Sequence, residues 1–174
     1  MRAGVCVWFT GLPCAGKSTL ALHLARHFEA LGLEVVVFDG DAVRKDVSAD
    51  LGFSREHRHA NALRVASLAR EVVEGGGVAV CALVSPYRES RAKAQEIVGD
   101  ARFLEVYVDT PIEICEGRDT KGMYGRARAG DLHNFTGVND PYEAPPRPDV
   151  RVAGMGSLDE AIRPILEAFE RRAA

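Results

Sequence analysis

The chain has 174 residues, with 22 Lys and Arg against 25 Asp and Glu, and a formal net charge of −3. That length supports one domain with a real core and is too short for two ordinary ones. The charge argues against a basic surface for nucleic acid, and no apolar run approaches the roughly 20 residues of a membrane span. Apolar residues make up 47% and charged residues 27%, as in an ordinary soluble globular protein. The four cysteines, Cys6, Cys14, Cys81 and Cys115, form no CxxC pair. They read as reduced thiols, neither a disulfide framework nor a zinc site. Residues 1–10 run straight into a strand with no signal-peptide pattern, so a cytoplasmic compartment is expected.

The first element is the apolar, β-forming run Val5-Cys6-Val7-Trp8-Phe9-Thr10, which predicts a buried strand. Gly11-Leu12-Pro13-Cys14-Ala15-Gly16-Lys17-Ser18 follows and fits the phosphate-binding loop pattern. Next comes a helix from Thr19, with Leu20, Leu24, His27 and Phe28 at helical spacing, ending near Leu31 with Gly32 as its cap. Strand, glycine turn and helix are the context this loop requires. Backbone N–H groups and the helix's positive end converge on one spot suited to phosphate. Lys17 would reach the β- and γ-phosphates and Ser18 would hold Mg²⁺.

Leu33-Glu34-Val35-Val36-Val37-Phe38 predicts a second buried strand. It ends at Asp39-Gly40-Asp41, at the strand's carboxyl end, the edge of an open α/β sheet where ligands bind. Ser54 starts a long helical pattern through Val73, ended by Gly75-Gly76-Gly77. A third core strand spans 78–84 and is closed by Ser85-Pro86-Tyr87-Arg88, with a helix over 91–98. A fourth strand spans 103–108. Thr110-Pro111-Ile112-Glu113 predicts a capping box opening a helix, with Pro at its first position. Residues 118–137 hold Arg118, Lys121, Arg126 and Arg128 among several glycines. They read either as a mobile lid over phosphates or as a solvated charged segment. A short strand over 150–152 and a helix opened by Ser157-Leu158-Asp159-Glu160 complete the chain. The alternation predicts an α/β fold in three layers, a parallel sheet covered on both faces by helices.

The second substrate decides what a phosphate-binding loop does. No Asn-Lys-x-Asp guanine signature is present, and a small domain with a basic lid suits a small-molecule kinase. Phosphoryl transfer needs mainly positioning and charge neutralisation. Asp41 is the candidate to orient and deprotonate an attacking hydroxyl, or else a helix N-cap; Asp39 is a candidate for Mg²⁺. Ser85 sits at a turn before Pro86. As a nucleophile it would need a neighbouring base, and none lies nearby in sequence, so a positioning role is preferred. Arg44, Arg58 and Arg88 are candidates for an anionic acceptor or plain surface arginines. Phe53 and Phe135, both in loop-like contexts, suit stacking on a base.

With those residues laid out, the chain resembles the adenylylsulfate kinase (APS kinase) family, P-loop kinases, over about residues 5–150. The generic block is the loop itself. The specific blocks are Asp39-Gly40-Asp41 with Val43-Arg44, then Leu51-Gly52-Phe53-Ser54 with Arg58 and Asn61, and Ser85-Pro86-Tyr87-Arg88. They continue with Cys115-Glu116, Arg118-Asp119, Lys121-Gly122, Phe135-Thr136-Gly137 and Asp140-Pro141-Tyr142-Glu143-Ala144-Pro145. The resemblance implies a single kinase domain with a lid over about 118–137. It implies transfer of the ATP γ-phosphoryl to the 3′-hydroxyl of adenosine 5′-phosphosulfate, with Mg²⁺ required.

By analogy Gly11, Cys14, Ala15, Gly16, Lys17, Ser18 and Thr19 bind ATP. The ATP adenine rests near Arg118 and the stretch around Pro148, and Ser18 and Asp39 bind the metal. Lys17 and Asp41 act in catalysis, and Ser85 holds the position traditionally labelled a phosphoserine intermediate. Arg44, Arg58 and Asn61 hold the phosphosulfate, Phe53 and Phe135 stack on its adenine, and Lys121, Val84, Ser85 and Asn134 line the acceptor pocket. The resemblance also implies a homodimer, with an ATP sulfurylase as a partner such an enzyme would associate with. The chain departs from the family's usual pattern at Pro13 and Cys14 (Ser-Gly), Ala42 (Asn), Leu63 (Arg) and Asn134 (Gly). Cys14 must adopt a backbone conformation that Gly reaches more easily.

Overall fold

A computed structural model describes residues 4–174; the first three residues of the predicted run into the first strand lie outside it. Five strands, β1 (Val5–Thr10), β2 (Val35–Asp39), β3 (Val78–Ala82), β4 (Phe103–Val108) and β5 (Val150–Val152), form one sheet in the order β2-β3-β1-β4-β5. Every pairing is parallel. The helices are α1 (Lys17–Ala30), α2 (Gly40–Asp46), α3 (Arg55–Glu74), α4 (Arg88–Val98), α5 (Ile112–Arg118), α6 (Met123–Arg128) and α7 (Leu158–Ala173).

β1 is central and wholly buried, because its side chains serve two cores in alternation. Val5, Val7 and Phe9 pack with Leu24 and Phe28 of α1 and with Ile165 and Phe169 of α7. Cys6 and Trp8 face the other side, with Val65 and Ala69 of α3 and Ala94 of α4. This two-sided burial is why the central strands read as unbroken apolar runs. Aromatic contacts fix both layers: Phe28 lies 4.4 Å from Phe169 and Trp8 5.6 Å from Phe103, between ring centroids.

Several expectations shift. The second strand begins at Val35 and is only half-buried along its length, because β2 is an edge. β3 stops at Ala82, after which Val84 and Ser85 turn away from the sheet. α4 starts at Arg88, three residues before the expected Arg91. Its first-turn N–H at Arg88 is accepted by Glu143 Oε2 at 2.9 Å, a partner 55 residues away that local pattern does not reveal. The capping box at Thr110 does not form: Pro111 is the N-cap, without a side-chain bond, and the Thr110 hydroxyl is used elsewhere. At Ser157 the N-cap half of the box forms, Ser157 Oγ accepting from Glu160 N at 3.5 Å, without the return bond from the Glu160 side chain. Among the described residues no helix is long and apolar enough to cross a membrane.

The parallel order brings the carboxyl ends of β1, β2 and β3 together at one rim. The segments at those ends, residues 13–16, 39–41 and 83–86, line the site.

Candidate active site

The glycine loop turns from β1 into α1 through two residues of left-handed backbone, Cys14 at φ 61° and Gly16 at φ 104°. Cys14 thus holds a conformation that costs a side-chain-bearing residue more than glycine. A side chain at Gly11 would place Cβ 2.6 Å from Val108 O, so this position must be bare. The Lys17 ammonium donates to Gly11 O at 3.0 Å and Leu12 O at 2.7 Å. Only 8% of Lys17 is exposed, and burial lowers its pKa from 10.5 to about 8.

Asp39 ends β2 and has two duties. One carboxylate oxygen accepts from the Ser18 hydroxyl, and the other accepts from Asp41 N at 3.1 Å, capping α2. Asp41 is therefore not the cap. Its own carboxylate projects from the first turn of α2, mostly exposed, and pairs with the Lys121 ammonium. That bond raises the Lys121 pKa. Among the described residues, no three His, Cys, Asp or Glu side chains gather as a metal cage. Ser18 and Asp39 instead offer two hard oxygen ligands beside a phosphate loop. That set fits Mg²⁺, which is usually held by one or two protein oxygens with substrate phosphates and water completing its shell.

These groups line a cavity of about 650 Å³. Cys14, Ala15, Gly16, Lys17, Ser18 and Thr19 form one wall. Arg44, Arg58, Asn61, Val84, Ser85 and Phe135 form another, with Asp39, Asp41, Arg118 and Lys121 also lining it. Asn61 is 4% exposed and its Oδ1 has no partner within the protein. Because Asn61 also lines the cavity, that acceptor is placed to meet a polar group of a ligand. Burial lowers the pKa of both Arg44 and Arg58. Arg44 lies 4.4 Å and Arg58 5.4 Å from the Phe53 ring centre, so Phe53 backs both guanidiniums and does not line the cavity itself. Phe135 is buried edge-on to Tyr124, 4.8 Å between centroids. Asn134, at φ 55°, contributes its carbonyl, which accepts from Arg58 Nη2 at 2.7 Å. Arg88 is turned away, its Nε on Ala144 O at 3.0 Å.

Ser85 lines the cavity with a left-handed backbone, φ 37°. Its hydroxyl accepts from Trp8 Nε1 at 3.1 Å and lies 3.4 Å from Leu83 O. Neither neighbour is a base, so nothing here activates it as a nucleophile.

Arg118 was expected at the nucleotide; its contacts, and the parts played by Thr110, Tyr124 and Gly154, were not. Thr110 Oγ1 donates to Ala15 O at 2.7 Å and accepts from Gly154 N at 3.1 Å. Arg118 Nη2 donates to Gly154 O at 2.6 Å and Nη1 to Cys14 O at 3.3 Å. Tyr124 Oη donates to Pro13 O at 2.8 Å. The wall beside Arg118 is residues 153–158, and Pro148 does not line it. The available signal was the pair Gly154 and Gly156 just past β5, at the rim where ligands gather.

A family model described as adenylylsulphate kinase matches residues 3–153. The adenylyl-sulfate kinase of Halothermothrix orenii is 42% identical over 172 residues, covering 98% of this chain and 92% of the relative. That of Synechococcus sp. (strain JA-3-3Ab) is 48% identical over 149 residues, covering 86% and 84%. The solved structure of a Mycobacterium tuberculosis APS kinase in complex with AMPPNP and APS aligns with a TM-score of 0.93 at 39% identity, covering 98% of this chain and 99% of that one. A phosphate loop on a five-stranded parallel sheet, two carboxylates beside it and a match running nearly end to end lead to one assignment: the chain belongs to the adenylylsulphate kinase family of ATP-dependent phosphotransferases.

Proposed function

We propose that this protein transfers the γ-phosphoryl group of ATP to the 3′-hydroxyl of adenosine 5′-phosphosulfate, giving 3′-phosphoadenosine 5′-phosphosulfate and ADP. The observation that carries the reading is the division of labour between Asp39 and Asp41. Asp39 caps α2 and meets Ser18, which leaves the Asp41 carboxylate outside the cap, lining the cavity with Lys121 as its partner, alongside the phosphate loop and the wall bearing Arg44, Arg58 and Asn61.

Asp41 accepts the proton of the 3′-hydroxyl as that oxygen attacks the γ-phosphorus and the bond to the β,γ-bridging oxygen breaks. Lys17 leaves its own loop's carbonyls for the β- and γ-phosphates, and Lys121 leaves Asp41 for the same charge. Ser18 and Asp39 would hold Mg²⁺, which when bound neutralises charge on the phosphate oxygens. Arg44, Arg58 and Asn61 take the phosphosulfate, with Phe53 behind the two arginines, Phe135 the acceptor's adenine, and Arg118 with residues 153–158 the ATP adenine. Transfer is direct, because the Ser85 hydroxyl is held by Trp8 and has no base.

The same reading takes residues 1–174 as one kinase domain and residues 118–137 as its lid. It takes a homodimer as the assembly, the cytoplasm as the compartment and an ATP sulfurylase as a partner. The test is ADP release with Mg-ATP, with and without adenosine 5′-phosphosulfate, together with identification of the product. Release that depends on the acceptor and yields a 3′-phosphate supports the reading. ATP binding with only a slow, acceptor-independent hydrolysis overturns it.

A further inference from the structure

The left-handed backbone of Ser85 needs a restraint, since such conformations persist in side-chain-bearing residues only where their surroundings over-determine them. The restraint comes from behind the turn. Arg91, in the first turn of α4, is 3% exposed. Its guanidinium spends three N–H directions on three different segments. Nε donates to Glu105 Oε1 on β4 at 2.9 Å, Nη1 to Ser85 O at 2.7 Å and Nη2 to Glu143 O at 2.6 Å. Thr10 Oγ1 adds a bond to Val84 O at 2.7 Å. Val84 and Ser85 line the cavity, whereas Thr10, Trp8 and Arg91 do not.

We propose that Arg91 is a positioning residue for the acceptor. It fixes the turn at Val84 and Ser85 as a wall of the cavity shared with Arg44, Arg58 and Asn61, and so sets the acceptor's fit without touching it. This assignment rests on the kinase reading above. The chemistry selects arginine: a planar fork reaches three acceptors at fixed angles, whereas a lysine ammonium is a point charge on a flexible stem. Glu105 is the counter-charge. Burial raises its pKa while Arg91 opposes that shift, so the two belong together as a pair.

Two variants test the role. Arg91→Lys keeps a charge beside Glu105 and loses the fork. Arg91→Met combined with Glu105→Gln removes the pair without stranding a carboxylate. In both, KM for adenosine 5′-phosphosulfate should rise roughly 10- to 100-fold, with KM for ATP within about twofold of the unaltered protein. The lysine variant should be the milder. Thermal unfolding is read alongside. An acceptor KM that stays put in either folded variant overturns the assignment. So does a parallel rise of both KM values, or failure of both variants to fold; each marks Arg91 as structural only. Acceptor-dependent turnover by the unaltered protein is the reference: its absence removes the kinase reading itself, while its presence with unmoved KM values removes only Arg91.

Discussion

The ammonium of Lys121, on the segment between α5 and α6, is bonded to the carboxylate of Asp41 in the first turn of α2, 80 residues away in sequence. Both side chains are mostly exposed, so this pair contributes little to stability and its importance is chemical. The ammonium sits on Oδ2 of Asp41, so in the kinase reading its departure toward the phosphates frees that oxygen for the acceptor's hydroxyl.

The first expectation concerns that carboxylate. Asp41→Asn keeps the shape and the α2 cap, which belongs to Asp39. It should lower kcat by roughly 10²- to 10⁴-fold with little change in acceptor affinity. Steady-state rates paired with calorimetric titration of the acceptor check this; near-normal turnover would remove Asp41 from the mechanism.

A second expectation follows from Lys17, whose folded-state pKa of about 8 lies below its ordinary 10.5 because burial disfavours the charged amine. Nucleotide phosphates restore the charge, so binding of a non-hydrolysable ATP analogue at pH 8 should take up about half a proton. At pH 6.5, where the amine is already charged, uptake should nearly vanish. Titration calorimetry in buffers of different ionisation enthalpy reads this directly, with Lys17→Ala as the null. Without nucleotide, between about pH 8 and 10.5 the unfolded chain holds a proton that the folded chain has lost. This group's unfavourable contribution therefore shrinks as pH rises through that window.

Gly154 supplies a third. A Cβ there would lie 1.9 Å from Ala15 O and 2.1 Å from Thr110 Oγ1, and the nearest obstacle is backbone. Gly154→Ala should displace the phosphate loop, raising KM for ATP by roughly 10-fold or more and costing about 1–3 kcal/mol of stability. An unchanged KM for ATP would show that the loop's position does not depend on this contact.

The fourth separates Ser85 as a wall from Ser85 as a nucleophile. Ser85→Ala leaves the buried Trp8 Nε1 without its partner, which costs about 1–3 kcal/mol, while kcat should stay within a few-fold. Mass spectrometry of the unaltered protein during turnover should find no phosphate on this residue. A kcat lowered by several orders of magnitude, or a phosphorylated Ser85, would point to a covalent route.

Local pattern was enough for some of this molecule. The strand–loop–helix at residues 5–30 is written in apolar runs, glycines and helical spacing, each acting over a few residues. Which carboxylate caps α2 was not legible, because Asp39 and Asp41 are both acceptable caps. Only the fold shows that Asp39 also meets Ser18. Thr110 was misjudged for the same reason: Thr-x-x-Glu satisfies a local rule, while the hydroxyl's actual partners, Ala15 and Gly154, lie 95 and 44 residues away. Phe53 read as a stacking ring, and the structure instead places two arginines on it. The adenine-side wall at 153–158 is a plain glycine-containing turn whose meaning comes only from where β5 ends.

The sheet order also bears on how the molecule comes into being. β1 lies between β3 and β4, so its register partners are 73 and 97 residues further along the chain. The strand before the nucleotide loop is made well ahead of its neighbours: it has no flank on either side until residue 78 and no second flank until residue 103. Such non-local pairing is slow to close. A ribosome-bound fragment ending before β3 would expose both edges of this apolar strand and one ending before β4 would still expose one, so the strand stays open to mispairing until β4 is made.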